Sequence, residues 1–515
     1  MLKSKSLWFY SVFNLAILII AGLWFWQQNQ AVELPETGLG TDSKLQCVSY
    51  APYYHDGVTP FKIDTHIEPA QIDSDLALLS KRFDCVRIYS VGQGLDYVPE
   101  AARKLGLKVL LGAWIGWLSA DNEKELNLAI SLANRYPDTI KAMVVGNEVL
   151  LRGEQPEAVL QSYINRAKKA TKVPVTYADV WEFWNKHKNL EKSVDYITVH
   201  VLPYWEDDPQ SIDTAIQHAN IVMDKLAHNF SKPIFIGETG WPSVGRQRGP
   251  SIPSQINQAR YLREFIQNAQ KKNWNYNLIE AIDQPWKRMS EGTVGGYWGL
   301  YDTQLNPKFG FNGLVAERHD GLLPVYWSLA GALILLILGI YVGNSAAVSL
   351  LALTSLGAVT GVIAYLQLDY LMTACRDSIE WISLSAISIT GLLSVLVIAY
   401  LILKGQTQVV HKWLLASLFL ICLGAGTTGI LLTLDGRYRD FPVVLYLLAT
   451  LQLSIGTKLL GISTQIKSRI VTTMQITALV TALIGLCLEP QNSHALYWLA
   501  ITAMLTYTNR NTFLK

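Results

Sequence analysis

The chain has 515 residues, of which 50% are hydrophobic and only 16% charged, with a formal net charge of +2. Soluble domains carry about 25% charged residues, so a single soluble globular protein is excluded, as are disordered and collagen-like chains. The charge is unevenly spread: positions 323–515 hold 16 charged residues, whereas positions 30–322 hold 66, of which 31 are basic and 35 acidic. The middle part thus has the charge density of a soluble domain and a net charge of −4. Such a surface is a poor match for a polyanion, and nucleic acid is not an expected partner.

The first element is the apolar run Leu7–Trp26, which follows Lys3 and Lys5. About 20 apolar residues span a bilayer. The Gln-Gln-Asn-Gln-Ala run behind it is no clear small-residue cleavage site. Residues 1–29 therefore read as an uncleaved signal-anchor helix, with a cleaved leader as the alternative.

Residues 30–322 alternate short apolar runs with helical patterns. The strand candidates are Gln46–Pro52, Cys85–Ser90, Lys108–Ala113, Ala142–Glu148, Pro174–Asp179, Tyr196–His200, Pro233–Glu238 and Asn277–Asp283. The clearest helices lie over Ile72–Lys81, Asp121–Arg135, Pro156–Ala170, Ser211–Asn229 and Ser254–Lys272. Near-continuous apolar strands alternating with helices mean a buried parallel sheet. Eight such units in about 250 residues predict an α/β fold, a (β/α)8 TIM barrel, whose active site lies at the C-terminal ends of its strands.

Polar residues cluster at those predicted ends: Tyr50, Arg87, Tyr89, Asn147, Glu148, Tyr177, Asp179, His200, Glu238 and Asp283. Cys47 and Cys85 open two strands. Buried free thiols are the favoured reading for them, with a disulfide, which needs an oxidising compartment, as the other. No Cys/His spacing suggests a metal site, and neither a metal nor a cofactor is expected.

Seven further apolar stretches follow, near 323–343, 345–368, 379–403, 411–434, 440–462, 470–488 and 493–508. They predict an all-α membrane region of about seven transmembrane helices over 323–515, so the lipid bilayer is an expected partner. With the N-terminus inside, as Lys3 and Lys5 suggest, the inside loops and tail hold Lys404, Lys412, Lys458, Lys467, Arg469, Arg510 and Lys515. The outside loops hold only Arg376, Arg437 and Arg439. The excess of inside bases places the soluble domain outside, in the periplasm if the membrane is a bacterial inner membrane. The spans carry almost no ionisable groups, which argues against a proton pump. An anchoring or docking role is the plain reading of this region, and a conduit for a neutral polymer the alternative.

Two carboxylates carry the chemistry. Glu148 ends Val144-Val-Gly-Asn-Glu148, and Glu238 lies in Ile236-Gly-Glu-Thr-Gly-Trp-Pro-Ser243. A charge after an apolar strand is costly unless paired or functional. Either one alone reads equally as an ion pair with Arg87. Strands four and seven face each other across a barrel mouth, so together the two can flank one bond, as glycoside hydrolysis requires.

On these residues the chain resembles glycoside hydrolase family 17, a β-1,3-glucanase family of retaining (β/α)8 enzymes. Gly237-Glu-Thr-Gly-Trp-Pro-Ser-Val-Gly245, which includes Trp241, matches the family's nucleophile signature, and Val145-Gly-Asn-Glu148 its acid/base motif. The resemblance covers roughly residues 45–312. It implies Glu238 as nucleophile and Glu148 as acid/base, roughly 5 Å apart as retention requires, with the pKa of Glu148 raised by burial and by the charge on Glu238. It also implies that Asn147 holds a sugar 2-hydroxyl and that Tyr204 hydrogen-bonds the nucleophile. Asp283 and Lys287 resemble the acidic residue and lysine the family keeps after the last strand, although Asp283-Gln-Pro-Trp-Lys287 departs from the Phe-Asn-Glu-Asn type run of plant members. Tyr297-Trp298-Gly-Leu300 resembles the family's closing Phe-Gly-Leu element.

Tyr50, Arg87, Tyr89 and Tyr177 are candidates for the floor of the cleft. Trp114, Trp117, Trp181, Trp184, Trp205, Trp286 and Trp298 supply aromatic faces suited to sugar rings. The expected function is a retaining glycosidase-type enzyme on β-1,3-glucan, favoured as a transglycosylase that elongates or branches the polymer. Bacterial members tethered by several spans resemble glucan-remodelling enzymes of periplasmic glucan synthesis, so a separate glucan synthase is the expected source of polymer. The alternatives are a β-1,3-glucan hydrolase and a non-catalytic glucan-binding or export accessory.

Overall fold

A computed structural model describes residues 3–40, 43–343, 346–405, 407–464, 466 and 468–508. Lys467, Arg510 and Lys515, invoked above for sidedness, lie outside the described residues. Eight parallel strands close into a barrel in sequence order. They are β1 (Leu45–Ser49), β2 (Phe83–Ile88), β3 (Lys108–Ala113), β4 (Ile140–Asn147), β5 (Val175–Val180), β6 (Ile197–His200), β7 (Ile234–Thr239) and β8 (Asn275–Leu278). The crossovers carry α2 (Pro69–Leu79), α3 (Val98–Lys104), α4 (Ser119–Arg135), α5 (Glu157–Ala170), α6 (Trp181–Lys186), α7 (Ala215–Asn229) and α8 (Gln255–Lys272), after the N-terminal α1 (Ser4–Gln28).

The strands read as apolar runs because both of their faces are buried. One face packs on the helices. The other fills the lumen, where Cys47, Cys85, Leu110, Ala142, Val144, Ala178 and Phe235 form a separate apolar plug. Cys47 and Cys85 pair in register on adjacent strands with Cα atoms 4.4 Å apart and are joined in a disulfide, which corrects the expectation of free thiols. Helix starts follow their caps: Ser254 Oγ accepts from Asn257 N at 3.0 Å, closing the first turn of α8.

Strand β8 stops at Leu278, so Asp283 does not end a strand as the sequence suggested. The chain continues into a short 3₁₀ turn at Pro285–Lys287 and α9 (Arg288–Glu291) at the barrel mouth.

Beyond the barrel lie α10 (Leu323–Tyr341), α11 (Ala347–Ala374), α12 (Ser378–Lys404), α13 (Gln408–Leu434), α14 (Val443–Thr450), α15 (Thr457–Leu459), α16 (Arg469–Leu488) and α17 (Ser493–Thr508). Among the described residues six helices, α1 among them, are long and apolar enough to cross a membrane. Helices α14 and α15 are joined through a π-helical turn at Leu451–Gly456 into a shorter apolar rod. Helix α1 docks into this bundle: Tyr10 donates to Gln452 Oε1 at 2.5 Å, and Gln452 Nε2 donates to Asn14 Oδ1 at 2.9 Å. In an apolar surrounding such polar contacts and small-residue approaches are what hold helices together. At Gly361 an added Cβ would fall 1.9 Å from the Trp327 carbonyl oxygen, so α10 and α11 touch backbone to backbone there.

The last turn of α11 and the loops after α13 and α16 all meet the barrel. Arg288 donates to the Thr373 carbonyl at 3.0 Å, Thr293 Oγ1 donates to Asp440, and Arg246 forms an ion pair with Glu489.

Candidate active site

The two carboxylates converge through a local feature of β4. Gly146 and Glu148 both have left-handed backbone, at φ +84° and +52°. For Glu148 that region is unfavourable, and a non-glycine residue held there is typically enforced at a functional site. The resulting turn carries the Glu148 side chain into the barrel mouth. Glu238 is the penultimate residue of β7 and is 5% exposed. Gly237 before it is required by packing, because an added Cβ would lie 2.4 Å from Thr198 Cγ2.

His200, at the end of β6, stands between the carboxylates. Its Nδ1 is 2.9 Å from Glu148 Oε1 and its Nε2 3.5 Å from Glu238 Oε1. One ligand-type atom from each of these three residues lies within 4.8 Å of the others, so the two carboxyl groups approach as closely as retention requires and more closely than the roughly 6.5–9.5 Å of inverting glycosidases. Such a cluster could hold a cation. However, Arg87 already pairs with Glu238 at 3.2 Å and Arg152 with Glu148 at 3.4 Å. Two guanidiniums supply the positive charge that a metal would bring.

Arg87 is 1% exposed and organises the floor. Its Nη1 donates to the Gly237 carbonyl at 2.7 Å and to Glu238, and its Nη2 donates to Asn147 Oδ1 at 2.5 Å. With Oδ1 taken, the Asn147 amide nitrogen remains as a donor. Arg87 Nη1 also lies 3.4 Å from His200 Nε2. A guanidinium can only donate, so the neutral ring carries its proton on Nδ1 and gives it to Glu148.

Burial alone would push the Glu148 carboxyl up. The hydrogen bond from His200 and the charges of Arg152 and Arg87 outweigh burial and hold it below the ordinary range. This corrects the expected raised value: the charge of Glu238 was counted, and the three cationic or donor groups were not. A general acid works only while protonated, so kcat/KM, which reports the free protein, is expected to fall with rising pH through an acidic limb. Arg152→Ala removes one of the lowering charges, and that limb should move to higher pH when kcat/KM is measured across the acid range. A limb that stays in place would uncouple Arg152 from Glu148.

The other sequence candidates divide into two groups. Tyr89 donates to Glu238 Oε1 at 2.8 Å, and its oxygen is 2.8 Å from Ser49 Oγ. Tyr89 therefore makes the contact expected of Tyr204, whose own hydroxyl donates to the Arg246 carbonyl at 2.5 Å. Tyr50 and Trp298 line the cleft, Tyr50 with its hydroxyl given to Asp75 at 2.8 Å. Tyr177 is turned away, donating to Asp179 and receiving the Leu150 N–H at 3.0 Å. Trp241 is fully buried, with its indole N–H on the Ile252 carbonyl at 3.0 Å.

Asp283 is paired with Lys308 at 2.7 Å, away from the cleft. The acid beside Lys287 is Glu280, at 2.7 Å, and burial pushes its carboxyl up to about 7. His200 appeared among the strand-end residues, but nothing in the sequence assigned it between the carboxylates. Glu280, Glu291 and Arg152 were missed. Lys287 and Glu291 reach the cleft from the irregular chain after β8.

The cleft has a volume of about 1240 Å³. Trp114, Trp117, Trp181, Trp205, Trp286 and Trp298 all line it. A cavity of this size, lined by aromatic side chains with a few convergent polar groups, suits a carbohydrate.

Fold and site together define a glycoside hydrolase barrel. Residues 47–299 match the family model described as BtgE/BtgC glycoside hydrolase domain. Probable beta-glucosidase btgE of Aspergillus flavus is 26% identical over 271 residues, covering 51% of this chain and 43% of that protein. Glucan 1,3-beta-glucosidase of Arthroderma benhamiae is 27% identical over 278 residues, covering 49% of this chain and 88% of that protein. Among solved structures, the glycoside hydrolase family 17 beta-1,3-glucanosyltransferase of Rhizomucor miehei is 25% identical, covers 52% of this chain and 97% of its own, and superposes with a TM-score of 0.46. The chain spans less than half the length of the btgE protein, and these relatives are fungal. Residues 47–299 thus match a glycoside hydrolase domain of the BtgE/BtgC type, and the family resemblance read from the motifs is borne out over that stretch.

Proposed function

We propose that the protein is a retaining, membrane-embedded enzyme acting on β-1,3-glucan, and that its reaction is glucanosyl transfer. The observation that carries this reading is the convergence of Glu148 and Glu238 on His200 within 4.8 Å, inside a sugar-shaped cleft. In the first step a Glu238 oxygen attacks the anomeric carbon, and the glycosidic C–O bond breaks. Glu148 gives its proton to the departing oxygen. Substrate covering the site removes solvent from Glu148, which favours its protonated form. The product is a glucosyl ester on Glu238. In the second step an acceptor hydroxyl gives its proton to the Glu148 carboxylate and attacks the same carbon, releasing Glu238 with net retention.

Arg87 and Tyr89 hold the nucleophile in position throughout, and the Asn147 amide offers a donor to the 2-hydroxyl. No metal enters these steps. Transfer rather than hydrolysis is favoured because many aromatic side chains line the cleft, giving a second sugar a place to compete with water.

The barrel is assigned to the extracytoplasmic side of the membrane. The Cys47–Cys85 disulfide supports an oxidising compartment. Arg376, Arg437 and Arg439, the few bases assigned outside, all lie in loops on the barrel's side of the bundle. There the enzyme would meet polymer supplied by a separate glucan synthase.

The test is to incubate the full-length protein in nanodiscs with one β-1,3-gluco-oligosaccharide and follow product masses over time. Products longer than the substrate are expected. Only shorter products would make it a hydrolase, and binding without any turnover would make it an accessory protein.

A further inference from the structure

We propose that the α13–α14 loop of the membrane region is one wall of the glucan cleft, where Arg437 and Tyr438 form a sugar-binding position against Trp205. The inference rests on the glucan reading above. Both residues line the same cleft as Glu148 and Glu238, yet they come from the far side of the chain, between two apolar helices.

Their arrangement is a platform. Trp205 stacks on Trp298 at 6.4 Å with the rings 20° apart. The Tyr438 ring meets Trp205 edge-on at 6.2 Å, and the Arg437 guanidinium lies 6.0 Å from its centre. Indole and phenol faces pack on the C–H face of a sugar, and a guanidinium fork can read its hydroxyls. Arg437 is only loosely held: its Nη2 lies 3.5 Å from the Trp205 carbonyl oxygen. Its ion pair with Asp207 spans 3.6 Å between side chains 47% and 98% exposed, which is worth little in water and can be exchanged for sugar hydroxyls.

The loop is also held in place before any ligand arrives. Arg246 Nη1 donates to the Arg439 carbonyl at 2.5 Å, and its guanidinium lies 4.7 Å from the Phe441 ring centre. Arg439 in turn pairs with Glu380 at 3.2 Å. Gly292, with φ +74°, packs so closely on this loop that an added Cβ would fall 2.2 Å from the Tyr438 carbonyl oxygen. A wall fixed this firmly costs little ordering on binding. The membrane region therefore takes part in recognition: a barrel severed from it would keep both carboxylates and lose that wall of the cleft.

The test uses full-length Glu238→Gln protein in nanodiscs, with affinities for a β-1,3-linked disaccharide and a heptasaccharide measured by calorimetry. In that background Tyr438→Ala and Arg437→Ala should each weaken the heptasaccharide roughly tenfold and affect the disaccharide far less. Tyr438→Phe should retain most of the affinity. Unchanged heptasaccharide affinity in both alanine variants would overturn the proposal and leave the glucan reading intact. An equal loss at both lengths would make the loop a structural support and also overturn it. Failure of the parent to bind any β-glucan would refute both.

Discussion

Glu238→Gln is expected to abolish turnover, by at least about ten-thousand-fold in kcat, while leaving the fold and glucan binding intact. The amide has nearly the volume of the carboxylate and can still accept from Tyr89 and from Arg87, whose other bonds go to the Gly237 carbonyl and Asn147. What disappears is the negative oxygen that attacks the anomeric carbon, and with it the covalent intermediate. Steady-state rates on β-1,3-gluco-oligosaccharides, paired with calorimetric binding, separate the two effects. Activity within tenfold of the parent would remove Glu238 from the nucleophile role.

Glu148→Ala should act differently on the two halves of the reaction. With a natural glucan the leaving oxygen needs a proton, and the rate should fall about 10²–10⁴-fold. With an aryl glucoside bearing an acidic phenol, departure needs no proton. The first step then survives and the glucosyl ester accumulates, because no base activates the acceptor. Azide, a nucleophile that needs no base, should restore turnover and give the β-glucosyl azide. An aryl glucoside rate unaffected by azide would contradict the acid/base role.

Much of this site was legible in the linear chain, for reasons that also explain the misses. Apolar runs of four to six residues with polar ends mark buried parallel strands, and β3 begins and ends where its pattern does. Glu148 and Glu238 stood out because a charge at the end of such a run has little else to do. Tyr89 was recoverable from alternation, since Cys85, Arg87 and Tyr89 follow one another at period two and share the inward face. Tyr204 lies outside any strand, where no periodicity says which way a side chain turns. Asp283 reads as a strand end because the apolar pattern runs past Leu278, whereas the strand does not, and Glu280 is lost inside that run.

The remainder depended on contacts between distant segments. Cys47 and Cys85 become neighbours only through the register of β1 on β2. The direction of the Glu148 shift is set by His200, 52 residues away, together with Arg87 and Arg152. The reach of Arg437 and Tyr438 into the cleft needs the whole barrel seated on the bundle. In the sequence these two residues read only as a loop charge for the topology and an aromatic between two spans.

The central claim is a covalent glucosyl ester on Glu238. It is tested most directly by treating the full-length protein with a 2-deoxy-2-fluoro-β-glucosyl fluoride, which forms the ester quickly and loses it slowly, and mapping the added mass by peptide sequencing. The account predicts one added glycosyl unit on the peptide containing Glu238, lost on addition of an acceptor sugar. A label on another residue would contradict it, as would unlabelled protein that converts natural substrate to products of inverted anomeric configuration.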